Sequence, residues 1–251
     1  LNSFFSALLS AEVRYHDLPG ERAPIVFIHG LGCASSYEYP RVAAQPELRD
    51  HRIILVDLPG SGFSDKPTSF SYTTSDQARV IAELLNHLAL PPFTLYGHSM
   101  GGSIAIEVAA QQPTNLTTLL VSEPNWRAGG GEFSSLIAAQ DEVEFIAYGQ
   151  QLLIEEDSSP WAGSMQMTLP QAAWRGATSL VNGVTPSWWE QFCALPLQCG
   201  LIVGEHTLPD QEYDALQGRD LYLAVVPNAG YAMSWENPQG LAAAIAAGCT
   251  Q

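Results

Sequence analysis

Ser99 lies at the centre of Gly97-His98-Ser99-Met100-Gly101, directly after the strand-like Thr94-Leu95-Tyr96 and before the helix-like run from Gly101 to Gln112. A G-x-S-x-G sequence between a strand and a helix puts its serine on a tight turn that pushes the hydroxyl outward, and the small flanking glycines let strand and helix approach. The Met100 N–H, at the start of the new helix, is then placed to stabilise an oxyanion. The chemistry such a turn serves is acyl transfer, in which the serine oxygen attacks a carbonyl and forms a covalent intermediate. His98 reads as a structural neighbour, because its side chain leaves the turn in a different direction from that of Ser99.

The elements that must carry this turn can be read from periodicity. Six short apolar runs, residues 25–30, 52–60, 94–99, 116–124, 201–206 and 221–227, alternate with helical patterns. That alternation predicts βαβ units on a mostly parallel sheet flanked by helices, an α/β fold. Thr74 and Gln77 have the spacing of a capping box, and Ile81, Leu84, Leu85 and Leu88 then share one helical face. Asn237 followed by Pro238 predicts the start of a C-terminal helix. The stretch at the N-terminus, residues 1–15, reads as a first strand. Residues 125–195 break the rhythm with helical patterns of their own, in a connection far longer than α/β units ordinarily use. They are expected to form a helical cap on a core made of residues 1–124 and 196–251. Five of the six tryptophans lie in that insertion. They either fill its small core or form an apolar lid, and Trp126, Phe133, Trp161 and Trp188 are the candidates for touching a substrate.

With HGLG at residues 29–32, DLPGSGFSD at 57–65 and GHSMGG at 97–102, in that order, the chain resembles the α/β-hydrolase fold family, and in particular serine esterase-like and lipase-like hydrolases with a lid insertion. The resemblance covers nearly the whole length. It implies that the turn after His29-Gly30 supplies a second oxyanion donor, the N–H of Leu31, and that His29 holds the loop. It implies that residues 57–62 are scaffolding. The position where the family often carries its acid is Thr207, which has no charge to orient an imidazolium. The family's other acid position falls on Glu123, at the carboxyl edge of the sheet where such folds place ligands, with Asp210 and Glu205 in reserve. After the last strand, where the resemblance implies the catalytic histidine, the chain carries Tyr231. A phenol with a pKa near 10 is a poor base for a serine hydroxyl at neutral pH. The histidines are His16, His29, His51, His87, His98 and His206. Of these, only His206 sits on a loop expected to approach the site.

A net charge of −16, with Lys66 the only lysine, gives no basic footprint for nucleic acid. No apolar run reaches the length of a membrane span, and the N-terminal stretch lacks the basic flank of a signal peptide, so a soluble, cytoplasmic protein is expected. Cys33, Cys193, Cys199 and Cys249 have no metal-ligand spacing and read as free thiols. Acyl chemistry on serine needs neither metal nor nucleotide, so no cofactor is expected. The partner is a small-molecule substrate: a rather apolar ester, lactone or related acyl compound, with Tyr231 leaving the activity impaired or absent. The alternative is a non-catalytic binder or sensor that uses the same pocket.

Overall fold

In the computed structural model, which describes residues 1–250, the six apolar runs form six strands joined in parallel: β3 (Arg22–Ile28), β4 (His51–Val56), β5 (Phe93–His98), β6 (Leu116–Ser122), β7 (Gln198–Gly204) and β8 (Tyr222–Val226). Branched and aromatic side chains suit these strands because helices cover both faces of the sheet. Alternate residues of β3 therefore feed different cores. Val26 and Ile28 join Ile81, Leu84, Ile104 and Val108 on one face, while Ile25 and Phe27 join Tyr39, Leu241 and Ile245 on the other. The chain is an α/β fold with a mostly parallel central sheet.

The N-terminal stretch forms two strands rather than one. β1 (Asn2–Ser6) and β2 (Ala11–Leu18) pair antiparallel as a hairpin, whose turn takes Ser10 to a φ of 55°. β2 then pairs antiparallel with β4, giving an eight-stranded sheet in the order β1-β2-β4-β3-β5-β6-β7-β8. From β3 the chain steps to β4 on one side and then to β5 on the other. The carboxyl ends of β3 and β5 thus flank a topological switch point, where open α/β sheets form their ligand crevice. The segments leaving those two strands carry Leu31 and Ser99.

The helix over Thr74–Leu88 is capped by Thr73, whose side chain accepts from the Asp76 N–H, one residue ahead of the expected Thr74–Gln77 pair. Gln77 is instead buried. Asn237 caps the final helix, Pro238–Gly248, as its sequence implied. Between β6 and β7 the chain forms a succession of helices from Glu132 to Ala194. Ile137, Phe145, Met165, Leu180 and Trp188 from this segment belong to the same apolar cluster as one sheet face and the helix Met100–Ala110. The insertion therefore has no separate core. Its last helix, Trp188–Ala194, packs on the helix Met100–Ala110. Among the described residues, no helix is long and apolar enough to cross a membrane.

Candidate active site

β5 ends at His98, and the helix Met100–Ala110 begins two residues later, so Ser99 must reverse the chain in one step. It does so at φ 54° and ψ −126°, a conformation that a non-glycine residue holds only where its surroundings impose it. The Ser99 N–H donates to the Ser122 carbonyl at 2.9 Å, and its own carbonyl receives the Gly102 and Ser103 amides at 2.8 and 3.1 Å. Both glycines of the motif are sterically required. A Cβ on Gly97 would overlap the Gly101 carbonyl, and one on Gly101 would overlap the carbonyls of Ile28 and His29. Ser99 is 8% exposed, and that exposure opens onto a cavity.

Directly beside the elbow runs the turn after β3, where a Cβ on Gly30 would come within 3.2 Å of Ser99 Cβ. His29 is fully buried and fixes the turn. Its Nε2 accepts from the Leu58 N–H at 2.9 Å, which leaves Nδ1 to donate to the Gly30 carbonyl at 2.8 Å. Burial lowers its pKa, so the ring stays neutral. Asp57 is scaffolding of the same kind, accepting from the Ser36 and Phe63 amides and from the Ser36 hydroxyl. The peptides of the turn are also held from the insertion. Trp161 Nε1 donates to the Leu31 carbonyl at 2.8 Å, and the Ser164 hydroxyl donates to the Gly32 carbonyl at 2.9 Å. Leu31 and Ser99 both line the cavity, and Met100 follows directly on the helix. Among the described residues, neither the Leu31 nor the Met100 amide donates to a loop or side-chain acceptor.

Tyr231 reaches Ser99, donating its hydroxyl proton to Ser99 Oγ. Half of the residue's surface is exposed, yet its hydroxyl end is enclosed, and burial raises its pKa above the ordinary 10.0. The phenol is therefore a donor at neutral pH. Its ring packs edge-on to the His98 imidazole, with centroids 4.8 Å apart. His98 Nδ1 lies 3.0 Å from the Ser122 hydroxyl, and desolvation pulls its pKa down to about 4, so it is neutral.

Glu123 lines the cavity with a φ of 44°. Its Oε1 accepts from the Gly204 N–H at 3.0 Å and from the Thr207 hydroxyl at 2.7 Å. The two acid positions considered from the sequence thus meet, with Thr207 serving as a donor to Glu123. Burial raises the Glu123 pKa. Among the described residues, no hydrogen bond joins Glu123 to Tyr231. The reserves lie elsewhere: Asp210 caps the helix Gln211–Leu216, and Glu205 accepts from the Asn228 N–H. His206 is exposed and outside the cavity lining.

The cavity measures about 550 Å³, within the range of small-molecule sites. Of the four aromatic candidates, Phe133 and Trp161 line it, with ring centroids 4.7 Å apart. Trp126 and Trp188 correct the expectation, since neither is a lining residue. Trp126 packs against Trp189 and Phe192, and Trp188 is fully buried with Nε1 donating to Glu107 at 2.8 Å. An indole whose N–H finds a buried partner is a core residue. Sequence reasoning missed Cys33, Glu38, Asp157 and Trp235, which line the cavity from loops and short helices. No motif marks them.

A family model described as the alpha/beta hydrolase fold matches residues 23–179. "Uncharacterized hydrolase YugF" of Bacillus subtilis (strain 168) is 38% identical over 100 residues, which are 39% of this chain and 35% of that protein. Among solved structures, an esterase from Exiguobacterium antarcticum superposes with a TM-score of 0.80 at 17% identity, over 98% of both chains. A thermophilic esterase from Thermogutta terrifontis gives a TM-score of 0.77 at 22% identity, over 94% of this chain and 92% of that one.

Proposed function

Because the chain belongs to the α/β-hydrolase fold family, we propose that it hydrolyses a small, largely apolar ester, lactone or related acyl compound through an acyl intermediate on Ser99, at a rate limited by Tyr231. One observation carries this reading: Ser99 is held in its strained turn on the wall of a cavity shared with Leu31. Attack of the Ser99 oxygen on the substrate carbonyl makes an oxyanion, which the Leu31 and Met100 amides receive. The serine proton must leave in the same step. A neutral phenol that already donates to Ser99 offers no basic site for it, so water has to take the proton. Phe133 and Trp161 would enclose the apolar part of the substrate.

Removing the base from a serine triad can leave a residual enhancement of roughly a thousandfold from binding and the oxyanion hole. Slow, Ser99-dependent turnover of a short-chain p-nitrophenyl ester is therefore the expected result at neutral pH. Ser99→Ala should abolish it. Tyr231→His should raise kcat/KM by about 10²- to 10⁴-fold, because an imidazole next to Glu123 restores a base and its orienting carboxyl. A Tyr231→His rate no higher than that of Ser99→Ala sinks the hydrolase reading. The hydrogen bond from Tyr231 to Ser99 favours a second reading, that the cavity only binds. A ligand that raises Tm and is recovered unchanged from both chains would then be expected.

A further inference from the structure

The charge of the cavity is one-sided. Glu38, Glu123, Glu132 and Asp157 line it, and among the described lining residues there is neither lysine nor arginine. Glu38 is the most constrained of the four. It comes from the short helix Ser35–Glu38 and is only 5% exposed. It accepts from the Ser234 hydroxyl at 2.9 Å and adjoins the Cys33 thiol. Among the described residues, no basic side chain forms an ion pair with it. An ionised carboxyl buried among neutral partners is strongly unfavourable, so burial raises the Glu38 pKa, and a cation entering the cavity would supply the counter-charge that no basic side chain provides.

The surroundings suit such a guest. Tyr231 and Trp235 line the same cavity as Glu38. Aromatic faces attract organic cations, most strongly where water is excluded. Arg41 lies 5.8 Å from the Trp235 ring but is not a lining residue. The whole chain carries a net charge of −16, which raises the local concentration of cations at a cleft.

We propose that the cavity takes acyl compounds bearing an organic cation, a quaternary or protonated amine, with Glu38 as its counter-charge and the Tyr231 and Trp235 rings as its walls. This deepens the functional reading of the same site and rests on it. The test reads binding alone, so turnover does not decide it. The intact chain is titrated calorimetrically at low ionic strength with choline and with its neutral carbon isostere, 3,3-dimethylbutan-1-ol. Choline should bind at least about tenfold more tightly, and the ratio should shrink as salt is added. Glu38→Gln keeps an acceptor for Ser234 and should bring the ratio close to one. If that variant loses its circular dichroism signature, Asp157→Asn should still lower the ratio about two- to threefold. Equal affinity for the two alcohols, no heat from choline at tens of millimolar, or a preference that survives these substitutions overturns the proposal. Choline binding without any ester turnover would leave it standing and remove the hydrolase reading. Ser99-dependent turnover with no cation preference would do the reverse.

Discussion

At Ser99 the outcome of any acyl chemistry is set by which neighbours give protons and which take them. Tyr231 gives one, since burial holds its phenol in the neutral form. His98 is the one imidazole against that ring, and its environment decides its charge as firmly as that of Tyr231. With a folded pKa of about 4 against the ordinary 6.5 of an imidazole, the unfolded chain binds more protons than the folded one between those values. Its contribution to stability is complete above about pH 6.5 and is lost as pH falls towards 4, by roughly 2–3 kcal/mol at pH 4.5. His98→Asn keeps a partner for Ser122 without the titration. Between pH 7.5 and 4.5, urea denaturation should therefore show the native chain losing roughly 2 kcal/mol more than the variant. Glu38 and Glu123, whose pKa values burial raises, act in the opposite sense but equally in both proteins. Identical pH dependences would refute the assignment of a neutral, buried imidazole.

One level up, the helix Pro160–Met165 does more than roof the cavity. Trp161 Nε1 and the Ser164 hydroxyl hold two successive carbonyls of the turn that carries the Leu31 amide, while the Trp161 ring packs at a tilt against Phe133 in the cavity wall. A ligand pressing on the wall therefore presses on the turn. Trp161→Phe keeps most of the ring and removes the hydrogen bond. In the Tyr231→His background it should lower kcat about tenfold with KM within about twofold, because the loosened amide matters most when the oxyanion forms. A rise in KM at unchanged kcat would mean that Trp161 is only a wall. The same element shows why sequence reading marks an insertion more easily than its contacts. Helical periodicity and an over-long connection mark the insertion, but nothing local says that an indole N–H at residue 161 will meet a carbonyl at residue 31.

Across the whole molecule, one apolar cluster runs from the sheet through the helix Met100–Ala110 into the insertion, so removing a side chain from the insertion can cost stability, binding or both. Trp188 belongs to stability. Trp188→Phe would leave the Glu107 carboxyl without the indole donor it has at 2.8 Å and should cost about 2–3 kcal/mol in urea denaturation, with p-nitrophenyl ester turnover unchanged. Phe133 is 48% exposed, and Phe133→Ala should show the opposite pattern, with weaker ligand affinity at nearly unaltered stability. A reversal of these two results would return Trp188 to the binding surface. The α/β class, the strand runs and the Ser99 turn were legible in the sequence because each rests on local causes: hydrophobic period, glycine spacing and a strand–turn–helix context within about twenty residues. The resemblance in three short motifs placed Leu31, Glu123 and Tyr231, and the fold brings all three to the carboxyl edge of the sheet beside Ser99. Only the tertiary structure decided which tryptophans are core and which are wall, that Thr207 donates to Glu123, and that Glu38 and Asp157 reach the same cavity. Those facts depend on where segments far apart in the chain, 84 residues for Thr207 and Glu123 and 130 for Trp161 and Leu31, converge at the carboxyl edge of the sheet, and no pattern along the chain encodes that convergence.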